Sequence, residues 1–415
     1  MHMSAGSRLW SLSAALAALA ALAALPVVPL FAQSAGDSTA AAQPAQRRWY
    51  ERLSLRGYSQ LRYNRLLETN DLYTCSHCDR SLGRNQGFFL RRARVVLSGD
   101  VSDRVSIYFQ PDFATDAGGS QHFAQIRDLY ADVYLDAAKT TRLRIGQSKV
   151  PFGWETLQSS SNRLPFDRSE GINSGVPGER EVGLALYWTP SAVRRRFRIL
   201  SDSGLKGTGD YGLVGVGLFN GQGANRSEAN DRLEAVARIS YPFRLANGQF
   251  IEVGVQGYDN EFIVPTSQRS PGVGGPTDLT DRRVAASFVF FPQPFGVQAE
   301  WNVGKGPDFD RATRRVEEQD LRGGYVQAMY RARQGGHVIT PFVRTQYYDG
   351  GWKAETDARH YVVREYEGGV EWLPIAALEL TAAYVVGDRR TSDGAAAPEN
   401  RQKGQLLRLQ AQFNY

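Results

Sequence analysis

The sequence has few cysteines, which stabilise small disulfide-rich domains, and few lysines. Only two of its 415 residues are cysteines and six are lysines, so 43 of the 49 basic residues are arginines. Two cysteines exclude a disulfide-rich scaffold. A net charge of +6, with 43 acidic residues in the chain, is too small to indicate nucleic acid as a partner. Beyond the N-terminal region no apolar run reaches the ~18 residues of a membrane-spanning helix, which excludes a helical membrane protein.

The N-terminal region predicts export from the cytoplasm. Arg8 precedes an alanine-rich apolar run, Leu9–Phe31, and Ala32 offers a small residue for cleavage. We predict a signal peptide over residues 1–32 and a flexible periplasmic leader over residues 33–50. A single transmembrane anchor is the alternative, because Leu9–Phe31 is long enough to span a bilayer.

Residues 51–415 consist of one predicted strand after another. Most of these strands have 9 to 15 residues, which suits a tilted strand that crosses a bilayer in ~9–11 residues. The sixteen predicted strands are Leu53–Leu67, Phe88–Gly99, Arg104–Thr115, Ile126–Asp136, Arg142–Val150, Arg180–Trp188, Tyr211–Asn220, Arg232–Tyr241, Gln249–Asn260, Arg282–Phe291, Phe295–Lys305, Leu321–Arg331, His337–Tyr348, Arg359–Trp372, Ile375–Val386 and Gln405–Tyr415.

Long and short connections alternate along the chain. The connections after odd-numbered strands are mostly long, as in Asp116–Gln125, Pro151–Glu179 and Gly306–Asp320, and those after even-numbered strands are mostly short. Outer-membrane barrels have this pattern, with long external loops and short periplasmic turns. Thr189–Asp210 breaks the pattern, and its "VRRRFRILSD" could form a strand. We predict an elongated hairpin or an insertion at the periplasmic rim. An extra strand here would make seventeen and would reverse the order of long and short connections in the rest of the chain.

Residue parity predicts which side of the wall each side chain faces. Apolar residues share one parity, predicted to face lipid: Leu53, Leu55, Leu61, Tyr63, Phe89, Ala93, Val95 and Leu97. Charged residues share the other, although Arg91 and Arg364 fall on the outward parity. A lumen with this many charges has to hold water, because burying unpaired charges is costly. The predicted fold is therefore all-β: a sixteen-stranded antiparallel transmembrane β-barrel.

The last strand has the same alternation and ends on an aromatic residue. Leu407, Leu409, Ala411, Phe413 and Tyr415 lie on the apolar parity. We expect this strand to close the barrel against the first one. Its ending resembles the C-terminal signal by which outer-membrane barrels are recognised for assembly.

The first half of the chain resembles the phosphate-selective porin O and P family. The matching stretches, from about Leu53 to Asn220, are "FFLRRARVVLSGDVSDRVSIYFQPDF", "LYADVYLD", "LRIGQSKVPFGWE", "EVGLALYW" and "VGLFNG". The resemblance implies a sixteen-stranded barrel, commonly a homotrimer, in the bacterial outer membrane. It also implies that the third external loop, Pro151–Glu179, folds into the lumen as a constriction, and that the passage is positively charged.

Lumenal arginines and the third loop supply the candidate anion pathway. A wall of guanidinium groups concentrates anions and matches phosphate geometry. The candidate residues are Arg56, Arg62, Arg92, Arg94, Arg142, Arg144, Lys149, Arg163 and Arg168. The alternative is that these cations pair with inward acids and brace the wall; the acids are Asp128, Asp132, Glu234, Glu252, Glu300, Glu365 and Glu379. Phosphate-selective members are understood to use loop lysines, but the fifth external loop here, Glu261–Asp281, has only Arg269.

Cys75 and Cys78 lie on either side of His77 in the first external loop. In an oxidising compartment we expect a local disulfide between them. A metal site is the alternative, although two cysteines and one histidine fall short of a closed zinc site.

We predict a porin for passive diffusion of anions such as phosphate, with no catalytic residues, no cofactor and no metal. Its predicted partners are outer-membrane lipid and the diffusing anions or small polar solutes. The first alternative is a general, weakly selective diffusion porin. The others are a soluble β-rich binding protein and a barrel hydrolase. No GxSxG or HExxH motif supports a hydrolase, but its serine and histidine could come from separate strands.

Overall fold

The computed structural model describes residues 48–67, 87–117, 120–395 and 400–415. The helical segments are 3-10 turns at Trp49–Arg52, Thr266–Gln268 and Thr356–Ala358, and α-helices at Trp154–Leu157, Glu170–Asn173 and Ser191–Asp202. The strands are β1 (Leu53–Leu66), β2 (Phe88–Asp100), β3 (Val105–Ala117), β4 (Ser120–Tyr134), β5 (Thr141–Lys149), β6 (Arg180–Trp188), β7 (Val214–Phe219), β8 (Glu234–Arg244), β9 (Phe250–Ile263), β10 (Asp278–Phe290), β11 (Phe295–Asp310), β12 (Arg315–Tyr330), β13 (Ala332–Gln334), β14 (His337–Gly351), β15 (His360–Ile375), β16 (Leu378–Ser392) and β17 (Asn400–Asn414).

The strands form one antiparallel sheet that closes on itself. Strands that follow one another in sequence pair with each other, except β12 and β13, and β1 also pairs with β17. The three-residue β13 continues β12 beyond Arg331, and both pair with β14. The wall therefore has sixteen strands, as predicted. No helix in the described ranges is long and apolar enough to cross a membrane.

The C-terminal residue completes the closure, as the alternation of the last strand predicts. Tyr58 lies opposite Asn414 and Leu66 opposite Leu406 in the β1–β17 register. The Gly57 amide donates to the Tyr415 carbonyl at 2.7 Å, and the Tyr415 amide donates to the Gly57 carbonyl at 3.0 Å. A Cβ at Gly57 would lie 2.5 Å from the Tyr415 ring and 2.3 Å from the Arg94 carbonyl oxygen. Gly57 thus leaves room for the terminal tyrosine.

Outward residues are apolar and exposed, whereas lumenal residues are polar and buried. Leu55, Leu129 and Val343 expose large parts of their side chains on the outer face. Aromatic residues lie near the periplasmic ends of many strands: Trp188, Phe243, Phe295, Tyr330, Trp372 and Phe413 are all exposed. Aromatic girdles of this kind mark the membrane–water interfaces of outer-membrane barrels.

One outward assignment, Phe89, is wrong because β2 contains a bulge. The register with β1 shifts between Gln60 and Leu61, so that Gln60 lies opposite Arg92 and Leu61 opposite Leu90. Arg91 is left as the extra residue, and a bulge reverses the parity beyond it. Phe88 and Leu90 are therefore exposed and Phe89 is buried.

Several strands extend further on the external side than the hydropathy pattern predicts. The predicted loop Asp116–Gln125 is mostly strand, because β3 reaches Ala117 and β4 begins at Ser120. The predicted loop Gly306–Asp320 is also mostly strand, since β11 reaches Asp310 and β12 begins at Arg315. Outside the membrane a strand needs no apolar face, so the apolar alternation stops before the hydrogen-bonded ladder does.

The Thr189–Asp210 connection is an insertion at the periplasmic rim, as predicted, but it contains a helix rather than a hairpin. The helix Ser191–Asp202 buries Val193, Phe197 and Leu200 on one face. These positions follow helical spacing rather than the alternation of a strand.

Some predictions concern residues outside the described ranges. These are the signal peptide over residues 1–32, nearly all of the leader over residues 33–50, and the disulfide between Cys75 and Cys78.

Candidate anion pathway

The third external loop, here residues 150–179, folds into the lumen between β5 and β6. Gly153 has φ of 80°, and a Cβ there would lie 2.6 Å from the Ile172 side chain, so only glycine fits this turn. The Lys149 ammonium donates to the carbonyls of Thr156, Leu157 and Gln158 at 2.8–3.0 Å. Lys149 thereby holds the start of the loop, which explains the "GQSKVPFG" stretch.

The loop crosses the lumen and is anchored on distant strands. Glu155 pairs with Arg344 of β14 at 3.0 Å, and Glu170 pairs with Arg389 of β16 at 2.9 Å. Asp167 pairs with Arg408 of β17 at 2.6 Å. This loop therefore folds into the lumen, as the family resemblance implies.

Most of the predicted cations have an acidic partner. Arg94 pairs with Asp112 at 2.7 Å. Asp132 accepts from Arg144 at 2.8 Å and lies 3.3 Å from Arg142. The remaining pairs join Arg62 to Asp167 at 3.7 Å, Lys149 to Glu179 at 3.7 Å, and Arg168 to Glu179.

Tyrosine rings enclose Arg144 in addition to its acid. Its guanidinium carbon lies 3.8 Å from the ring centre of Tyr130, and the rings of Tyr187 and Tyr211 lie within 5.5 Å. Such cation–π contacts fix a guanidinium in place. Arg56, in contrast, is exposed at the periplasmic end of β1, with its guanidinium carbon 5.9 Å from the Tyr108 ring centre.

Arg92 and Arg163 form no ion pair with any acid in the described part of the chain. The Arg92 Nη1 donates to Gln60 Oε1 at 2.7 Å, while its Nε has no hydrogen-bond partner among the described residues. The Nε and Nη1 of Arg163 also have no partner in the part of the chain that the structure describes. Arg92 is 3% and Arg163 5% exposed, and the two are close enough to repel each other electrostatically. These two side chains place positive charge, without an ion-pair partner in the described ranges, where β2 meets the third loop.

The inward acids serve mainly as partners for arginines and for backbone amides. Asp128 pairs with Arg180 at 3.1 Å, and Glu365 with Arg389 at 2.8 Å. Glu300 accepts from the amides of Trp154 and Glu155 in the third loop. Both carboxylate oxygens of Glu234 lack a hydrogen-bond partner within the described ranges.

Several buried lumenal arginines were not among the predicted pathway residues, although residue parity places Arg408 inward and would place Arg180, Arg283 and Arg344 there too. Arg389 is buried as well, but it lies between the predicted strands Ile375–Val386 and Gln405–Tyr415, where parity gave no signal. Arg269 of the fifth external loop points elsewhere: it donates to the carbonyls of Val264, Gly274 and Gly275 in its own loop.

Comparisons with known proteins give a consistent result. A family model described as phosphate-selective porin O and P matches residues 69–277 and 266–415. The fold is similar to that of the outer membrane channel DcaP of Acinetobacter baumannii, with 16% identity and a TM-score of 0.56 over 88% of this chain and 97% of that one. No protein in the comparison with curated proteins matches this sequence.

Two other solved structures share the fold at lower identity. An anion-selective porin from Comamonas acidovorans has 11% identity and a TM-score of 0.53, over 88% of this chain and 99% of that one. OmpT, an outer membrane protein of Vibrio cholerae in a trimer form, has the same identity, TM-score and coverage.

Proposed function

Because this chain belongs to the phosphate-selective porin O and P family, we propose that it forms an outer-membrane channel through which anions such as phosphate diffuse passively. The observation that carries the proposal is the pair Arg92 and Arg163, two buried lumenal cations without an acidic partner in the described ranges. An uncompensated guanidinium attracts anions, whereas one that is paired with a carboxylate contributes little net charge to the pathway.

The mechanism needs no energy source. An anion enters between the external loops and loses part of its hydration beside the third loop. Guanidinium donors of Arg92 and Arg163 replace the lost water, and their planar geometry suits two oxygens of one phosphate. The anion then moves down its gradient into the periplasm, which requires that binding at this point is weak.

The remaining parts of the proposal concern export and assembly. We infer that the signal peptide over residues 1–32 is cleaved and that the barrel assembles as a homotrimer in the outer membrane. The Vibrio cholerae OmpT in its trimer form supports this assembly by analogy of fold.

A general, weakly selective diffusion pore is the second candidate. It is favoured by the pairing of Arg62, Arg94, Arg142 and Arg144 with acids, which cancels much of the lumenal positive charge. In that case the arginines would mainly stiffen the wall and hold the third loop.

The zero-current potential in a planar bilayer under a KCl gradient separates the two candidates. We expect the detergent-purified protein to prefer chloride, and the Arg92→Gln/Arg163→Gln variant to lose most of that preference. Each lost cation is worth about 1 kcal/mol at contact distance in water, a roughly fivefold change in local anion concentration. Arg282→Gln is the matched control, because Arg282 is exposed on the outer face and pairs with Asp259 there.

Equal permeability of the wild-type channel to potassium and chloride would contradict anion selectivity and support the second candidate, a general diffusion pore. The same chloride preference in the wild type and the double variant would remove Arg92 and Arg163 from the pathway.

A further inference from the structure

The segment from Thr189 to Asp210, which we call the periplasmic crossover, spans the mouth of the barrel. It leaves the wall at the end of β6 and returns at β7. Its Lys206 ammonium lies 2.6 Å from Glu371 of β15 and 4.0 Å from Glu379 of β16. β6 and β15 are eight wall strands apart in a barrel of sixteen, so they lie on opposite sides. A chain that joins them has to cross the lumen.

Both ends of the periplasmic crossover are tied to the wall from which it leaves. The Thr189 amide donates to the Thr140 carbonyl at 2.7 Å, and the Thr189 hydroxyl donates to Asp210 at 2.8 Å. Asp210 also accepts from Arg142 of β5 at 3.0 Å. Burial alone would raise the pKa of Asp210, but Arg142 and the Gly212 amide outweigh burial and lower it. Asp210 therefore stays ionised and keeps this attachment.

An apolar cluster occupies one side of the lumen beneath the helix of the crossover. Val193, Phe197, Leu200 and Leu205 are buried there against Phe250, Val289 and Phe291 of the wall and Trp154 of the third loop. Buried apolar side chains in mutual contact leave no water-filled passage between them. Solutes therefore have to pass on another side of the lumen.

Buried charges hold the part of the crossover that reaches the opposite wall, at Lys206. Only 14% of the Lys206 side chain is exposed, and 1% and 5% of the Glu371 and Glu379 side chains. Burial alone would lower the pKa of Lys206, but the two carboxylates outweigh it and raise the pKa. Gln158 of the third loop donates to the Lys206 carbonyl at 2.8 Å, which joins the crossover to the constriction loop.

We propose that the periplasmic crossover, latched by Lys206 to Glu371 and Glu379, is a second constriction that determines the size of solute able to leave the channel. This inference rests on the proposed function only in that the barrel conducts; it does not depend on anion selectivity. Small inorganic ions pass the crossover, while neutral solutes of sugar size are held back at the periplasmic mouth.

The first test removes the crossover. Residues 191–208 are replaced by a short Gly-Ser turn, and folding is checked by the shift of the unheated barrel in gel electrophoresis. We expect single-channel conductance in KCl to rise roughly twofold or more as the open cross-section grows. The swelling rate of proteoliposomes in a hexose should rise as well. Arg195→Gln, a change at an exposed residue of the same helix, should leave both quantities unchanged.

A charge reversal tests the latch without a deletion. Lys206→Glu places a third carboxylate beside Glu371 and Glu379, and repulsion should displace the crossover and raise the swelling rate. Adding Glu371→Lys to the same chain should return the rate toward that of the wild type.

A folded deletion variant with wild-type conductance and swelling would overturn the second constriction, and Lys206→Glu without effect would overturn the latch. If the deletion variant does not fold, the charge reversal decides. The zero-current potential reports separately on Arg92 and Arg163, so failure of the proposed selectivity leaves a different signature.

Discussion

Arg144 and Arg92 both point into the lumen from neighbouring parts of the wall, but their surroundings differ. Arg144 lies between Asp132 and three tyrosine rings, and its charge is neutralised at 2.8 Å. Within the described ranges, the one hydrogen-bond acceptor of Arg92 is the amide oxygen of Gln60, and a second cation, Arg163, is close enough to repel it. The same residue type on the same parity thus braces the wall at one place, and at another it is the residue that we propose to attract a solute.

The largest expected effect is the loss of stability when Asp132, the acid beside Arg142 and Arg144, is removed. Asp132→Ala leaves both Arg142 and Arg144 buried without that carboxylate. Breaking a buried ion pair by deleting one partner costs about 3–5 kcal/mol. We expect the free energy of unfolding of the refolded barrel in urea to fall by this order.

Asp103→Ala is the matched control, since its side chain is 97% exposed and pairs with Arg52 at 3.4 Å. Surface pairs of this kind contribute about 0–1 kcal/mol. An Asp132→Ala variant as stable as this control would contradict the bracing role.

A smaller effect is expected when a braced arginine is converted into an unpaired one. Asp112→Asn removes the carboxylate that holds Arg94 at 2.7 Å. The freed charge should raise the chloride preference about fivefold, by the same contact energy of about 1 kcal/mol. The neutral double change Arg94→Gln/Asp112→Asn should restore the wild-type ratio. If Asp112→Asn leaves the zero-current potential unchanged, net lumenal charge does not set selectivity.

The smallest effect is expected at an arginine that faces away from the lumen. Arg364 is exposed on the outer face, near the external end of β15. A lipid-facing cation near an interface costs only about 0–1 kcal/mol. We expect Arg364→Leu to change the free energy of unfolding by no more than this and to leave the zero-current potential unchanged. A clear loss of chloride preference in Arg364→Leu would show that selectivity does not depend on whether an arginine faces the lumen.

The side of the wall that each arginine faces could largely be predicted from the sequence, because successive side chains of a barrel strand point alternately to the lumen and to the outside. Alternation indicated which arginines face the lumen, Arg408 among them, and it would also have found Arg344. Arg389 lies beyond the predicted strand Ile375–Val386, where alternation gave no signal. It failed at Phe89, where the bulge at Arg91 shifts the period by one residue. The external strand ends were missed because they carry no apolar face.

Pairing could not be predicted, since it depends on how distant segments meet. Arg163 and Arg168 lie five residues apart in the third loop, yet only Arg168 reaches Glu179. Likewise, nothing in the local sequence around Lys206 indicates that its partners are Glu371 and Glu379, across the barrel. Helical spacing in Val193, Phe197 and Leu200 was the available signal for the crossover helix.

The most direct test of the central claim is phosphate block of the chloride current in single channels. Phosphate is titrated into the bath for the wild-type protein and for Arg92→Gln/Arg163→Gln. If Arg92 and Arg163 attract anions, phosphate at concentrations well below that of chloride reduces the wild-type current and has little effect on the variant. The same phosphate response in both channels would contradict the claim, because the positive charge that acts on the solute would then lie elsewhere.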